Sequence, residues 1–106
     1  MDNHAVVIAD ASGVIRFWNA QAVETLGHAE AVALGSTLDL IVPEGFREAH
    51  WNGYRRAMAS GAAASEGQPG PFPVLRADGE IAPVLGRLTL MRSAQGSAIG
   101  AMVVFG

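Results

Sequence analysis

Few groups in this chain can carry chemistry: three histidines (His4, His28 and His50), seven arginines and ten carboxylates, with neither lysine nor cysteine. Without cysteine there is no disulfide, thiolate metal site, iron–sulfur cluster or thiol nucleophile. Without lysine there is no Schiff base and no phosphate-loop lysine, and no helix start follows Gly67-Gln68-Pro69-Gly70. The histidines are too scattered for a zinc set, so a metal cofactor could draw a nitrogen ligand only from one of them. No serine, histidine and aspartate stand in a supporting context such as a G-x-S-x-G elbow. Nor do two carboxylates share a helical face within an apolar stretch. These absences point away from an enzyme.

His50 has the most informative surroundings. Pro43 suits the first position of a helix predicted to run to about Ser60, where Gly61 ends it. Phe46, His50, Gly53, Tyr54, Ala57 and Gly61 recur at spacings of three or four and share one face. Arg47, Glu48, Asn52, Arg55 and Arg56 fall mostly on the other. An imidazole on such an apolar face is either a satisfied core residue or a ligand. His4, near the terminus, and His28, in a turn between helices, read as structural.

The remaining elements frame this helix. Ala5–Ala9 and Val14–Trp18 are β-prone runs around the turn Asp10-Ala11-Ser12-Gly13, a hairpin signal. Asn19 stands as an N-cap before a helix stopped by Gly27. Glu30–Leu34 is a second short helix, and Ser36–Ile41 holds one more turn. Ala62–Pro73, rich in small residues, Gly and Pro, reads as a mobile loop leading into an edge strand. Val74–Ala77 and Glu80–Arg92 form a hairpin around Asp78-Gly79, with Gly86, Leu88 and Leu90 on its apolar face. After a turn at Ser93–Ser97, Ala98–Phe105 is the last strand. Strands, then helices, then strands indicate an α+β fold with an antiparallel sheet.

Composition sets the scale. The chain has 106 residues, half of them apolar and 16% charged, with a formal net charge of −3, which suits one globular domain over residues 1–106. The acidic balance argues against a nucleic-acid groove. The longest apolar run, Ala98–Phe105, is far short of the roughly 20 residues of a membrane helix. Met1–His4 shows no positively charged leader, so a cytoplasmic protein is expected.

Taken in order, these residues resemble a PAS domain over essentially the whole length. The motifs are Asp10-x-x-Gly13, the Asn19-x-x-Ala22 helix start, Leu26-Gly27, Gly35 and Val42-Pro43 before the long helix. Arg76-Ala77-Asp78-Gly79 between two strands follows, then Gly96 and Gly100. The resemblance implies a five-stranded antiparallel sheet, short helices and one longer helix flanking a ligand cavity. It also implies a sensory or dimerisation role, a homodimer, and an output domain of a larger signalling protein absent from this chain.

The stretch Pro43-Glu44-Gly45-Phe46-Arg47-Glu48-Ala49-His50, with Gly53-Tyr54-Arg55-Arg56 and Ser60-Gly61, is similar to the haem-binding helix of the rhizobial oxygen-sensor kinases. That resemblance makes His50 the proximal ligand of a b-type haem and places Arg56 near a propionate. A flat, largely apolar disc with two carboxylates needs an apolar slot, a nitrogen ligand and a polar mouth. Gly53, Tyr54 and Ala57 would line the helix side, and Gly86, Leu88, Leu90 and the last strand the opposite wall. Met102 or Met91 is a candidate sixth ligand. The family's distal arginine aligns with Gly70, which would weaken O2 relative to NO or CO as the gas sensed. Gly53 replaces a family tyrosine, Trp51 is atypical, and Val104-Phe105-Gly106 stands where an Asp-x-Thr element begins. The alternative is a haem-free module that binds a small organic ligand or only dimerises. A flavin photoadduct is excluded, because it needs a cysteine.

Overall fold

The computed structural model describes residues 3–106; Met1 and Asp2, part of the leader region read above, lie outside them. Five strands form one antiparallel sheet: β1 (Ala5–Asp10), β2 (Ile15–Trp18), β3 (Pro69–Leu75), β4 (Ile81–Arg92) and β5 (Ala98–Phe105), in the order β2-β1-β5-β4-β3. Between β2 and β3 come α1 (Ala20–Leu26), α2 (Glu30–Ala33), two single 3₁₀ turns (Leu38–Leu40 and Glu44–Phe46) and α3 (Arg47–Ser60). The α+β architecture expected from the sequence is the one observed.

Local chemistry explains most of the boundaries. Asp10 builds the β1–β2 turn by accepting hydrogen bonds from Ser12 N, Val14 N and Arg16 Nε through its carboxylate. Asn19 works in two directions. Its Oδ1 caps α1 at Ala22 N and also accepts from Val6 N, while its Nδ2 donates to the His4 carbonyl. One side chain therefore starts the helix and ties it to β1.

Two boundaries differ from the sequence reading. The long helix is split: Pro43, with ψ at 148°, caps a 3₁₀ turn over Glu44–Phe46, and the α-helix begins only at Arg47. Gly45 weakens the helix at that point, and Phe46 is half exposed, so no core contact extends α3 backwards. Strand β3 begins at Pro69, well before Val74. Its prolines at 69, 71 and 73 alternate, so the ladder toward β4 rests on the N–H groups of Gly70, Phe72 and Val74. An edge strand tolerates this spacing.

The core lies between the sheet and the helices. Ala5, Val7, Ala9, Ile15, Trp18, Val74 and Phe105 from the sheet pack with Ala22, Leu26, Ala33, Leu38 and Ile41. A second cluster joins Ala57 of α3 to Leu90 and Ala101. Helix α3 buries only Ala57 fully, so it is held chiefly at one corner. There Trp51 lies over Gly13 and donates from Nε1 to Asp39 Oδ1 at 2.7 Å, and Tyr54 donates to the Asp10 carbonyl at 2.6 Å.

Gly13 has φ +82°, and a Cβ there would overlap the Trp51 ring. Gly13→Ala combines backbone strain with displacement of Trp51 and is expected to lower stability by roughly 2–4 kcal/mol, read by urea denaturation.

Candidate functional site

A cavity of about 740 Å³ lies between α3 and the inner face of the sheet. Its walls are nearly all apolar: Val7, Ala9, Leu88, Leu90, Ala101, Val103 and Phe105 from the sheet, and Leu38, Ile41 and Val42 from the segment before α3. Helix α3 contributes Ala49, His50, Gly53, Tyr54, Arg56, Ala57 and Ser60. The polar groups at the lining are thus confined to one helix and its exit, where Ser65 is added.

Among the described residues His50 makes no hydrogen bond, and its Nδ1 is buried without a partner. Its ring forms a triangle with two aromatics, 4.7 Å from Trp51 and 5.7 Å from Tyr54 by centroid, the latter two being 5.7 Å apart. Burial pushes its pKa below the ordinary 6.5, only partly offset by the Asp39 carboxylate, so the neutral imidazole is favoured. Among the described residues the His50 side chain is therefore not tied to the fold by a hydrogen bond. The Tyr54 hydroxyl, by contrast, is committed to the Asp10 carbonyl. Its pKa is pushed up to about 12 by burial and by the Asp10 charge, and the ring serves as wall and tether.

Gly53 stands in the middle of α3 with open space where a Cβ would go. A mid-helix glycine costs about 0.5–1 kcal/mol relative to alanine, and no neighbour demands it here. What its missing side chain preserves is cavity beside His50. Arg56, exposed at the mouth, has no carboxylate partner among the described residues.

Three residues expected at the site lie elsewhere. Met102 alternates with Ala101 and Val103, which line the cavity, and so points to the outer face, paired with Ile8 and Thr89. Met91 is likewise out of step with Leu90 and is exposed. Neither thioether reaches the cavity. Gly86 acts from beneath: a Cβ there would press on Phe105 and Phe72, whose rings meet edge to face at 5.7 Å, and both rings line the cavity. Leu88 and Leu90 do form the sheet-side wall.

Other features escaped the sequence. The inward residues of β1, Val7 and Ala9, also supply wall, which strand pairing alone reveals, whereas the last strand stands where it was expected. The stretch expected to be a mobile loop is tied down by an ion pair at 2.6 Å between Arg92 and Glu66. His28 gives its carbonyl to Trp18 Nε1, while its own Nε2 is buried without a partner. No three His, Cys, Asp or Glu side chains converge among the described residues. A metal at His50 would therefore have to bring further ligands with it, as a macrocycle does.

A sheet with a helix standing off it over an apolar cavity defines an α+β module with a hollow core. The family model PAS_4, described as the PAS fold, matches residues 2–105, and the chain belongs to the PAS family. The sensory character of that family is its function at this level. Solved structures agree on the fold. A PAS domain from Colwellia psychrerythraea superimposes with a TM-score of 0.82 at 19% identity, covering 99% of this chain and 86% of that one. The PAS domain of the quorum-sensing receptor RpfR from Cronobacter turicensis, in complex with C12:0, gives 0.76 at 17% identity, with 99% and 93% covered. An RNA-binding light-oxygen-voltage receptor gives 0.77 at 18%, this chain matching 99% of itself but 30% of that protein. No curated protein matches the chain. Among the described residues no helix is long and apolar enough to cross a membrane.

Two outcomes follow from the geometry. Gly53→Ala is expected to raise stability by about 0.5–1 kcal/mol in denaturant melts while reducing the space for a ligand beside His50. His50, with a folded pKa below its unfolded value, binds fewer protons folded than unfolded. Stability should therefore fall as pH drops through 6.5 toward that lowered value. The carboxylates Asp10 and Glu66, held below their ordinary values of 3.8 and 4.5, act only in more acid solution. His50→Phe should flatten the pH 5–7 part of the profile, as measured by urea melts.

Proposed function

We propose that this PAS module is a sensor that holds b-type haem in its cavity through His50 as proximal ligand. The observation that supports this reading is the His50 side chain, free of hydrogen bonds among the described residues, on the wall of an apolar cavity. The residues present fit the group. His50 offers its nitrogen, and Gly53 and Ala57 leave the helix wall low for a flat ligand. Leu88, Leu90, Ala101 and Val103 exclude water from the opposite side. Arg56 at the mouth neutralises a carboxylate, a role that only arginine among the basic residues can fill in a chain without lysine.

Haem, when bound, supplies an iron centre that takes a diatomic gas or changes its redox state. The chain does the rest. A shift at His50 moves its neighbours Trp51 and Tyr54, which hold the β1–β2 turn and the 3₁₀ turn at Asp39. The displacement then biases how the module meets a second copy or an output domain. Outward-facing Phe17, Ile8, Met102 and Val104 form an apolar strip across β2, β1 and β5 that suits a homodimer. The wall formed by Leu88, Leu90, Ala101 and Val103 offers no side-chain hydrogen-bond donor, which favours NO and CO over O2. We place the protein in the cytoplasm, with neither nucleic acid nor membrane as partner.

A haem-free cavity that takes a small organic ligand is the second reading. It is favoured by the unpaired Arg56 beside apolar walls, and it is the kind of use that the RpfR domain makes with C12:0. Absorption spectra separate the two. Reconstituted with haemin, the domain is expected to show a Soret band at one haem per chain, with affinity reduced more than about tenfold in His50→Ala. A band unchanged in that variant would remove His50 as the ligand, and no stoichiometric haem would leave the haem-free reading. Titration with NO, CO and O2 is expected to give the weakest binding for O2.

A further inference from the structure

One stretch of the cavity wall is built unlike the rest. Ala62, Ala63, Ala64 and Ser65 line the cavity between the end of α3 and the start of β3, as part of a strap from Gly61 to Gly67. Of these four, only Ala63 packs against a core cluster, that of Ala57, Leu90 and Ala101. Burial of a single methyl contributes under about 1 kcal/mol. Hydrophobic packing therefore does little to hold the strap in place.

A carboxylate does that instead. Glu66 Oε2 accepts from the backbone N–H of Leu90 at 2.9 Å and from Arg92 Nη1 at 3.0 Å, and Oε1 accepts from Arg92 Nη2 at 2.6 Å. Arg92 reaches the other end of the strap as well, donating from Nε and Nη2 to the Gly61 carbonyl at 3.2 and 2.9 Å. The backbone tie from the strap to β4 is Gly67 N–H to the Leu88 carbonyl at 2.8 Å, and Glu66 N–H to the Ala63 carbonyl closes a turn within it.

These groups occupy the edge of β4 beyond Arg87, where its pairing with β3 has ended at Pro69. The strap thus substitutes one side chain and one N–H for the missing strand. Both of its ends are glycines in the left-handed region, Gly61 at φ +76° and Gly67 at φ +82°. Between two such pivots lies a run of small side chains whose contact with the core is the Ala63 methyl.

We propose that the Gly61–Gly67 strap is the gate of the cavity and that the Glu66–Arg92 clasp is its latch, setting how fast ligands enter and leave. The inference rests on the cavity being the ligand site, whatever the ligand. It separates two roles: the apolar walls, His50 and Arg56 determine affinity, whereas Glu66 and Arg92 determine exchange rate. A latch that touches the strap and β4, and not the ligand, changes entry and exit together and leaves their ratio nearly untouched.

Stopped-flow fluorescence with anilinonaphthalene sulfonate as the probe tests this on the whole chain. Glu66→Gln keeps the shape but loses the charge, and Arg92→Ala opens the clasp from the other side. In both, the association and dissociation rates are expected to rise about tenfold with the dissociation constant within about twofold, the loss of a charge-assisted bond being of that size. Rates unchanged in both variants, or a faster exit with no faster entry, would overturn the gate. Hydrogen exchange without any ligand reads the latch by itself: the amides of Gly67 and Leu90 should exchange about tenfold faster in Glu66→Gln, and unchanged protection would overturn the latch. Ala57→Trp, which fills the cavity, is expected to abolish the probe signal. A probe bound equally well by that variant would show that it sits elsewhere, a failure of the cavity reading and not of the clasp.

Discussion

Helix α3 stands over the sheet because it is fastened at one corner instead of along its length. Trp51 covers Gly13 and bonds Asp39, and Tyr54 bonds the carbonyl of Asp10. With only Ala57 fully buried, the helix makes no continuous seam with the strands. A helix packed with large side chains at 50, 53 and 57 would close onto β4 and β5 and leave one ordinary core. Here those positions are His, Gly and Ala, and the corner contacts keep the gap open at a defined height. Cavity, wall and mouth all depend on that fastening.

A chain of 106 residues has one interior to divide between stability and binding. Val7, Ala9, Leu38, Ile41, Val74, Leu90, Ala101 and Phe105 are core residues and cavity walls at once. The stability that α3 does not contribute by burial comes from the part of the same cluster that does not line the cavity, where Ile15, Trp18, Ala22, Leu26 and Ala33 are buried. One core therefore holds both the cavity and the contacts that close it.

Much of the fold was legible because its signals are local. The Asp10–Gly13 and Asp78–Gly79 turns, the Asn19 cap and the glycine stops at 27 and 61 act within a few residues. The alternation in β4 placed Leu88 and Leu90 on the correct face. The errors arose where a local rule met a distant partner. Pro43 is a good first helical residue in isolation, yet it is buried and extended, so the helix starts four residues later. Three prolines in seven residues look hostile to a strand until their alternate spacing is set against an edge. Met102 has the donor type of a sixth haem ligand, whereas its phase is dictated by pairing with Ile8 and Thr89.

The sequence alone determined the chemical repertoire: one histidine on an apolar helix face, arginine as the one permanently cationic side chain, no thiol and no lysine. It also determined the order of elements, since turns, caps and alternation are properties of neighbouring residues. Only the tertiary structure decided which nitrogen is left without a partner, which leucines face the gap and which methionines do not. Only there does Glu66, distant in sequence from Arg92, become the tie that holds the cavity wall. The reason is physical: hydrogen-bond satisfaction and burial belong to pairs of groups brought together by the sheet, and residue type and spacing do not determine those pairs.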